Sequence, residues 1–163
     1  MSSDTTDLKM LAVRGVEQAR RGEWDRALKV LGEVAERKDK SLELPGIFYS
    51  YLGYAVARYR KQLEEGVRLC EHAVKIQYYE AENHLNLARV RLLRGDRKGA
   101  VKALDRAVKL DPSQPEVVNL RLELGLRRPP VVGFLSRHHV VNRMLGHVRH
   151  AVRGPTLPRK KKR

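Results

Sequence analysis

Three stretches of the chain carry one sparse skeleton: Ala27, Leu31 and Val34; Gly66, Cys70 and Ala73; Ala100, Leu104 and Ala107. In each, a step of four residues is followed by a step of three, which puts the three side chains on one helical face. A further small residue stands twelve or thirteen positions upstream of each run, at Gly15, Gly53 and Ala88. Small side chains at a crossing let two antiparallel helices approach to the lower end of the usual ~8–10 Å separation. Gly22 and Gly95 fall where the chain must reverse, since glycine tolerates the left-handed conformation that ends a helix. Pro112 disfavours the helical region for Asp111 and so separates one unit from the next. A chain built this way stacks helical hairpins, and such stacks work by surface recognition more often than by chemistry.

The pattern predicts helices over 7–21 and 24–38, 46–60 and 63–77, 81–94 and 97–110, with a seventh over 115–127. Thr6 is placed to cap the first, after an unstructured lead at 1–5. The repeat units run over about 8–41, 46–80 and 81–114. The segment ERKDKSLELPG inserts extra residues between the first two. The helix over 115–127 reads as the cap that covers the last apolar face of the array. Strand signals are few, so nearly all of the chain is expected to be helical.

The best-formed unit, AENHLNLARVRLLRGDRKGAVKALDRAVKLDPSQ, has Ala88, Gly95, Ala100, Leu104, Ala107 and Pro112 in register. With Ala73 and Ala107 one ~34-residue period apart, this skeleton resembles the tetratricopeptide-repeat family over roughly residues 8–127. Arg14, Gln18 and Arg91 depart from it, standing where that family has large apolar residues. The resemblance implies an all-α, right-handed superhelical solenoid of such repeats, to which the chain's own sequence adds a C-terminal capping helix and a basic tail. It also implies a concave groove, lined by the first helix of each unit, that takes a peptide or helix of another protein. Projected from the repeat register, that lining is Lys9, Val13, Val16 and Arg20; Tyr51, Tyr54 and Arg58; and Asn86, Arg89 and Leu93. Tyrosine and arginine concentrate binding energy at interfaces, and the Asn86 amide could meet an extended peptide backbone. Tyr49, Tyr51, Tyr54 and Tyr59 cannot all line one groove, so some pack between units. His84 could line the groove or pack.

Arg20, Arg58 and Arg89 predict a cationic groove and a partner, peptide or helix, with net negative charge. Repeat domains that receive the acidic tails of heat-shock chaperones use a clamp of lysines, asparagines and an arginine. Val16 and Glu82 occupy two positions where that clamp needs an amide and a cation, which disfavours such a receptor here.

Charge is concentrated at the C-terminal end. Residues 121–163 hold twelve Lys or Arg and one acid, a net of +11, while the other 120 residues hold 22 basic and 18 acidic groups, a net of +4. Pro129 and Pro130 break any helix, and 128–153 reads as a linker followed by a basic amphipathic helix over 138–153. Its apolar stripe is Val140, Val141, Met144, Leu145, Val148 and Val152, with Arg143, Arg149 and Arg153 mainly elsewhere. That helix either docks on the end of the solenoid, faces a partner or anionic surface, or assembles two copies of the chain into a homo-oligomer. The tail 154–163, with Arg159, Lys160, Lys161, Lys162 and Arg163, should be unfolded. It reads as an import signal, a nonspecific nucleic-acid arm or a solubility device. Phe134 is the lone aromatic residue of 121–163, so no stacking platform for bases exists there.

Nothing suggests catalysis. The Gly95-Asp-Arg-Lys-Gly99 corner lacks the spacing of a phosphate loop, and no Ser, His and Asp constellation stands out. No cofactor is implied. His138, His139, His147 and His150 have no neighbouring carboxylate or cysteine to complete a metal site. Cys70 is the single cysteine, so it forms no internal disulfide, and it sits on a buried stripe as a small apolar residue. The polar N-terminus lacks the pattern of a secretory signal, and no window approaches the ~18 apolar residues of a membrane span. The expected compartment is cytoplasmic.

Overall fold

The computed structural model describes residues 2–39, 42–125, 140–141 and 144–145. Seven α-helices follow one another among them: α1 (Ser2–Arg20), α2 (Trp24–Arg37), α3 (Gly46–Tyr59), α4 (Leu63–Ile76), α5 (Ala81–Arg94), α6 (Arg97–Leu110) and α7 (Pro115–Glu123). No strand occurs among the described residues. Helices pair as α1 with α2, α3 with α4 and α5 with α6, and the first helices α1, α3 and α5 pack side by side. These helices belong to one unit, residues 1–123. In the second unit, 124–163, residues 140–141 and 144–145 are helical, and Val140, Val141, Met144 and Leu145 are exposed.

The small residues lie where the helices cross. Ala27, Leu31, Val34, Cys70, Ala73, Ala88, Ala100, Leu104 and Ala107 are all fully buried. A methyl group added to Gly15 would meet the Leu31 side chain at 2.7 Å. α3 and α4 touch more closely still: a methyl on Gly66 would lie 2.6 Å from both Ala57 Cβ and the Gly53 carbonyl oxygen.

The reversals differ between hairpins. Gly22 and Gly95 adopt φ of +80° and +90°. After each, the next amide reaches back to a carbonyl five residues earlier, Glu23 N to Gln18 O and Asp96 N to Arg91 O, both at 2.9 Å. This is the glycine-terminated helix end. The middle hairpin has one more residue between its crossing positions, and there Lys61 takes the left-handed conformation at φ +61°. The Asp96 carboxylate then caps α6 by accepting from Gly99 N at 2.8 Å.

Polar groups stitch one hairpin to the next. Buried Asn83 donates from Nδ2 to Gln77 O (3.1 Å) and Ala73 O (3.4 Å), closing carbonyls at the end of α4. Gln77 Oε1 in turn accepts from Ile47 N at the start of α3 (2.9 Å). Both carbonyls also accept backbone amides, Ala73 O from Gln77 N (2.9 Å) and Gln77 O from Glu80 N (3.3 Å). Asn83 thus adds a second bond to each, at a helix end where carbonyls lack in-helix donors. Arg91 is accommodated as a cation, through Glu71 Oε1 at 2.8 Å and Gly99 O at 3.2 Å. His84 packs: it is buried, and its Nε2 donates to Tyr78 O at 2.7 Å.

Two ends differ from expectation. α1 begins at Ser2, where a lead over 1–5 was predicted, so Thr6 lies within the helix and is not its cap. Asp4 in the first turn favours the positive helix end and pairs with Arg37 of α2 at 3.1 Å. α7 stops at Glu123, short of 127, because Gly125 enters the left-handed region at φ +65°. Val117 of α7 is fully buried, and Arg121 reaches Asp105 of α6 at 3.0 Å. The basic residues Arg143, Arg149, Arg153, Arg159, Lys160, Lys161, Lys162 and Arg163, and most of the helix predicted over 138–153, lie outside the described residues.

Candidate functional site: a divided inner groove

Because α1, α3 and α5 lie adjacent, one face of each joins a shared inner surface. At its first end is a cleft of about 430 Å³ between α1, the residues before α3 and the start of α3. Ala12, Val13, Val16, Pro45, Ile47 and Phe48 make it apolar, and Lys9, Glu17, Arg20 and Glu43 bring two charges of each sign. All four groove residues predicted on α1 line it. Val16 is buried in its floor, whereas Val13 is 55% exposed, high for a valine on a packed helix. Pro45 ends the inserted segment, whose Leu42 and Leu44 are buried in the core. The insertion therefore furnishes one wall. Its leucines, Leu42 and Leu44, are the sequence signal for this packing.

The middle of the surface is closed by a strut across three helices. Glu82 Oε2 of α5 accepts from Arg20 Nε (3.1 Å) and Nη2 (3.0 Å) of α1, and from the Tyr51 hydroxyl of α3 (3.0 Å). Burial works against charge on Arg20, but the bond and charge of Glu82 more than offset it and hold the guanidinium ionised. Burial, reinforced by the Glu82 charge, pushes the Tyr51 phenol well above its usual range. Tyr51 is thus a buried strut member and offers little surface.

Beyond the strut lies an aromatic and cationic ledge. Trp24, the one tryptophan of the chain, has ring centroids of Tyr54, Tyr59 and Tyr51 at 5.1, 6.0 and 6.2 Å. Arg89 lies over Tyr54 at 5.4 Å and Arg58 over Tyr59 at 5.8 Å, within cation–π range. Neither arginine has a carboxylate partner among the described residues. Leu93 is exposed. Asn86, expected to meet a peptide backbone, is only 1% exposed. Its amide is already committed, donating to Ser50 Oγ (3.3 Å) and accepting from Arg89 Nη1 (3.1 Å). It positions Arg89 and offers no surface of its own.

Trp24 and Glu82 were missing from the predicted lining. Trp24 opens a second helix, and a register argument drawn only from first helices overlooks it. Cys70 is wholly buried, its thiol facing Ser50 O at 3.4 Å, and burial pushes its pKa far up. That environment suits a packing residue and not a nucleophile. Among the described residues, no group of three or more His, Cys, Asp or Glu is placed to hold a metal ion, and no helix is long and apolar enough to cross a membrane.

No protein-family model matches the sequence, and neither does any curated protein. Solved structures do. The chain is similar to PcrH of Pseudomonas aeruginosa, solved with the chaperone binding region of PopB, at 22% identity and TM-score 0.52 over 74% of this chain and 93% of that one. It is similar to the first tetratricopeptide-repeat domain of human RPAP3, at 16% identity and TM-score 0.56 over 72% of this chain and 89% of that one. The first such repeat domain of Spaghetti (RPAP3), bound to an HSP90 peptide, gives 17% identity and TM-score 0.55 over 77% and 93%. Identities this low speak to fold alone. With the nested small residues and the α1–α3–α5 layer, they establish that this chain has the fold of a tetratricopeptide-repeat domain.

Proposed function

We propose that the chain is a non-enzymatic adaptor that captures a peptide or helix of another protein on its inner surface. The apolar cleft carries this reading: an open hollow of about 430 Å³ bounded by Val13, Val16, Ile47 and Phe48. Apolar pockets with a few polar groups at the edge are the usual form of a binding site. PcrH and the RPAP3 domain were each solved holding a segment of another protein, which supports the same use here. The partner's apolar anchors enter the cleft, and its acidic side chains meet Arg58 and Arg89. Arg20 does not contribute, since Glu82 neutralises it. A cytoplasmic setting, in which Cys70 stays a thiol, belongs to this reading.

Selection of displayed random twelve-residue peptides on the full chain tests it. Enriched peptides should share apolar anchors beside acidic residues, weaken at high salt, and lose about tenfold or more in affinity with Val13→Asp. Tyr79, 82% exposed at the turn between α4 and α5, is the control site, and Tyr79→Ala should change nothing. Peptides that bind wild type and Val13→Asp alike would refute the groove. Removing 154–163 separates tail from groove: peptides lost entirely on that deletion are held by the basic tail.

A further inference from the structure

The strut carries a second consequence, which rests on the groove reading. Arg20 and Tyr51 together form what a carboxylate needs: two guanidinium N–H groups and a phenolic O–H converging on one oxygen. A residue of the chain itself fills that position. The Glu82 side chain is 20% exposed and the Arg20 side chain 49%, so both stand at the groove surface. The three groups come from α1, α3 and α5, and Glu82 is sixty-two residues from Arg20. A ligand carboxylate approaching Arg20 meets Glu82 as a like charge, and entry requires its displacement.

We propose that Glu82 is a specificity-determining residue, which occupies a carboxylate subsite made by Arg20 and Tyr51 and keeps partner carboxylates out of the middle of the groove. Acidic side chains are thereby directed to Arg58 and Arg89 on the ledge, and the segment crossing the strut must carry no acid. Charge-reading is divided by position along the surface, so a partner is selected by where its acids fall as well as by their number. Selectivity of this kind comes from a repulsive element beside the attractive ones.

The test uses acetyl-hexaglutamate amide on the full chain, with Trp24 fluorescence as the readout because Trp24 lies 6.2 Å from the Tyr51 ring. Glu82→Gln keeps the shape and removes the charge. It should raise affinity roughly five- to tenfold, the range of a partly exposed charge-assisted contact. The gain should vanish in Arg20→Gln/Glu82→Gln. Equal affinity for wild type and Glu82→Gln, or a gain that survives loss of Arg20, overturns the assignment. The unmodified chain gives a measurement that needs no variant to fold. On titration, the Nε–Hε resonances of Arg58 and Arg89 should shift while that of Arg20 stays in place; a matching Arg20 shift contradicts the subsite's being closed. None of these readings depends on the Val13 experiment, so the two proposals can fail separately.

Discussion

Gly53 and Gly66 face each other so closely that a methyl on either would lie within 2.7 Å of the other's carbonyl oxygen. α3 and α4 therefore meet backbone to backbone, and the contact cannot yield by turning a side chain. Gly66→Ala should destabilise the chain by about 2–3 kcal/mol, at the upper end of overpacking costs, as measured by urea denaturation. Gly32→Ala is the contrast. Its methyl would meet only the flexible end of Arg60, at 3.3 Å. There the gain in helix propensity should stabilise by about 0.5–1 kcal/mol.

Lys61 is the one non-glycine residue with positive φ among the described residues, in the reversal where the other two hairpins use glycine. A left-handed conformation costs an ordinary residue about 1–2 kcal/mol, part of which glycine returns through its freer unfolded chain. Lys61→Gly should therefore raise stability by about 0.5–1 kcal/mol, read from the same denaturation midpoints. No change, or a loss, would mean that the lysine stem contributes packing that offsets the strain.

His84 offers a pH signature. Burial, helped by the nearby Arg106 charge, lowers its pKa below the usual 6.5 despite the bond to Tyr78 O. The folded chain thus holds it neutral, while the unfolded chain takes up a proton first. Its contribution is complete above about pH 6.5 and declines as pH falls from there toward the folded pKa. Wild type should lose more stability than His84→Gln between pH 7.5 and 5.5. Parallel losses would show that His84 is not the group responsible.

Cys70 should be silent to thiol reagents in the native state. It is fully buried and its thiolate is strongly disfavoured. Labelling by a disulfide reagent should proceed only at the unfolding rate and become complete in denaturant. Rapid labelling of the folded chain would place the α4 stripe outside the core.

Residue types and spacing made the helical hairpins legible, because the small residues at the crossings are dictated by backbone geometry. Gly22 and Gly95 announced two reversals for the same reason. The third was hidden, since nothing about a lysine signals a left-handed turn. Lining residues were less visible. The four residues that register projects on α1, Lys9, Val13, Val16 and Arg20, line the cleft, yet register cannot tell that Asn86 is spent on Ser50 and Arg89, or that Tyr51 is spent on Glu82. Two of those neighbours, Ser50 for Asn86 and Glu82 for Tyr51, lie more than thirty residues away in sequence, at separations of 36 and 31. α1 also begins at Ser2, ahead of the boundary read from Thr6.

Hydrogen exchange on the complex with a display-selected peptide would decide whether the inner surface is where a partner sits. Protection is expected in two segments, residues 9–20 of α1 and 43–48 around the cleft wall, with Val13→Asp abolishing it and the turn at Tyr78 and Tyr79 unaffected. Protection confined to the turn or to the residues after 123, with 9–20 exchanging as in the free chain, would contradict it.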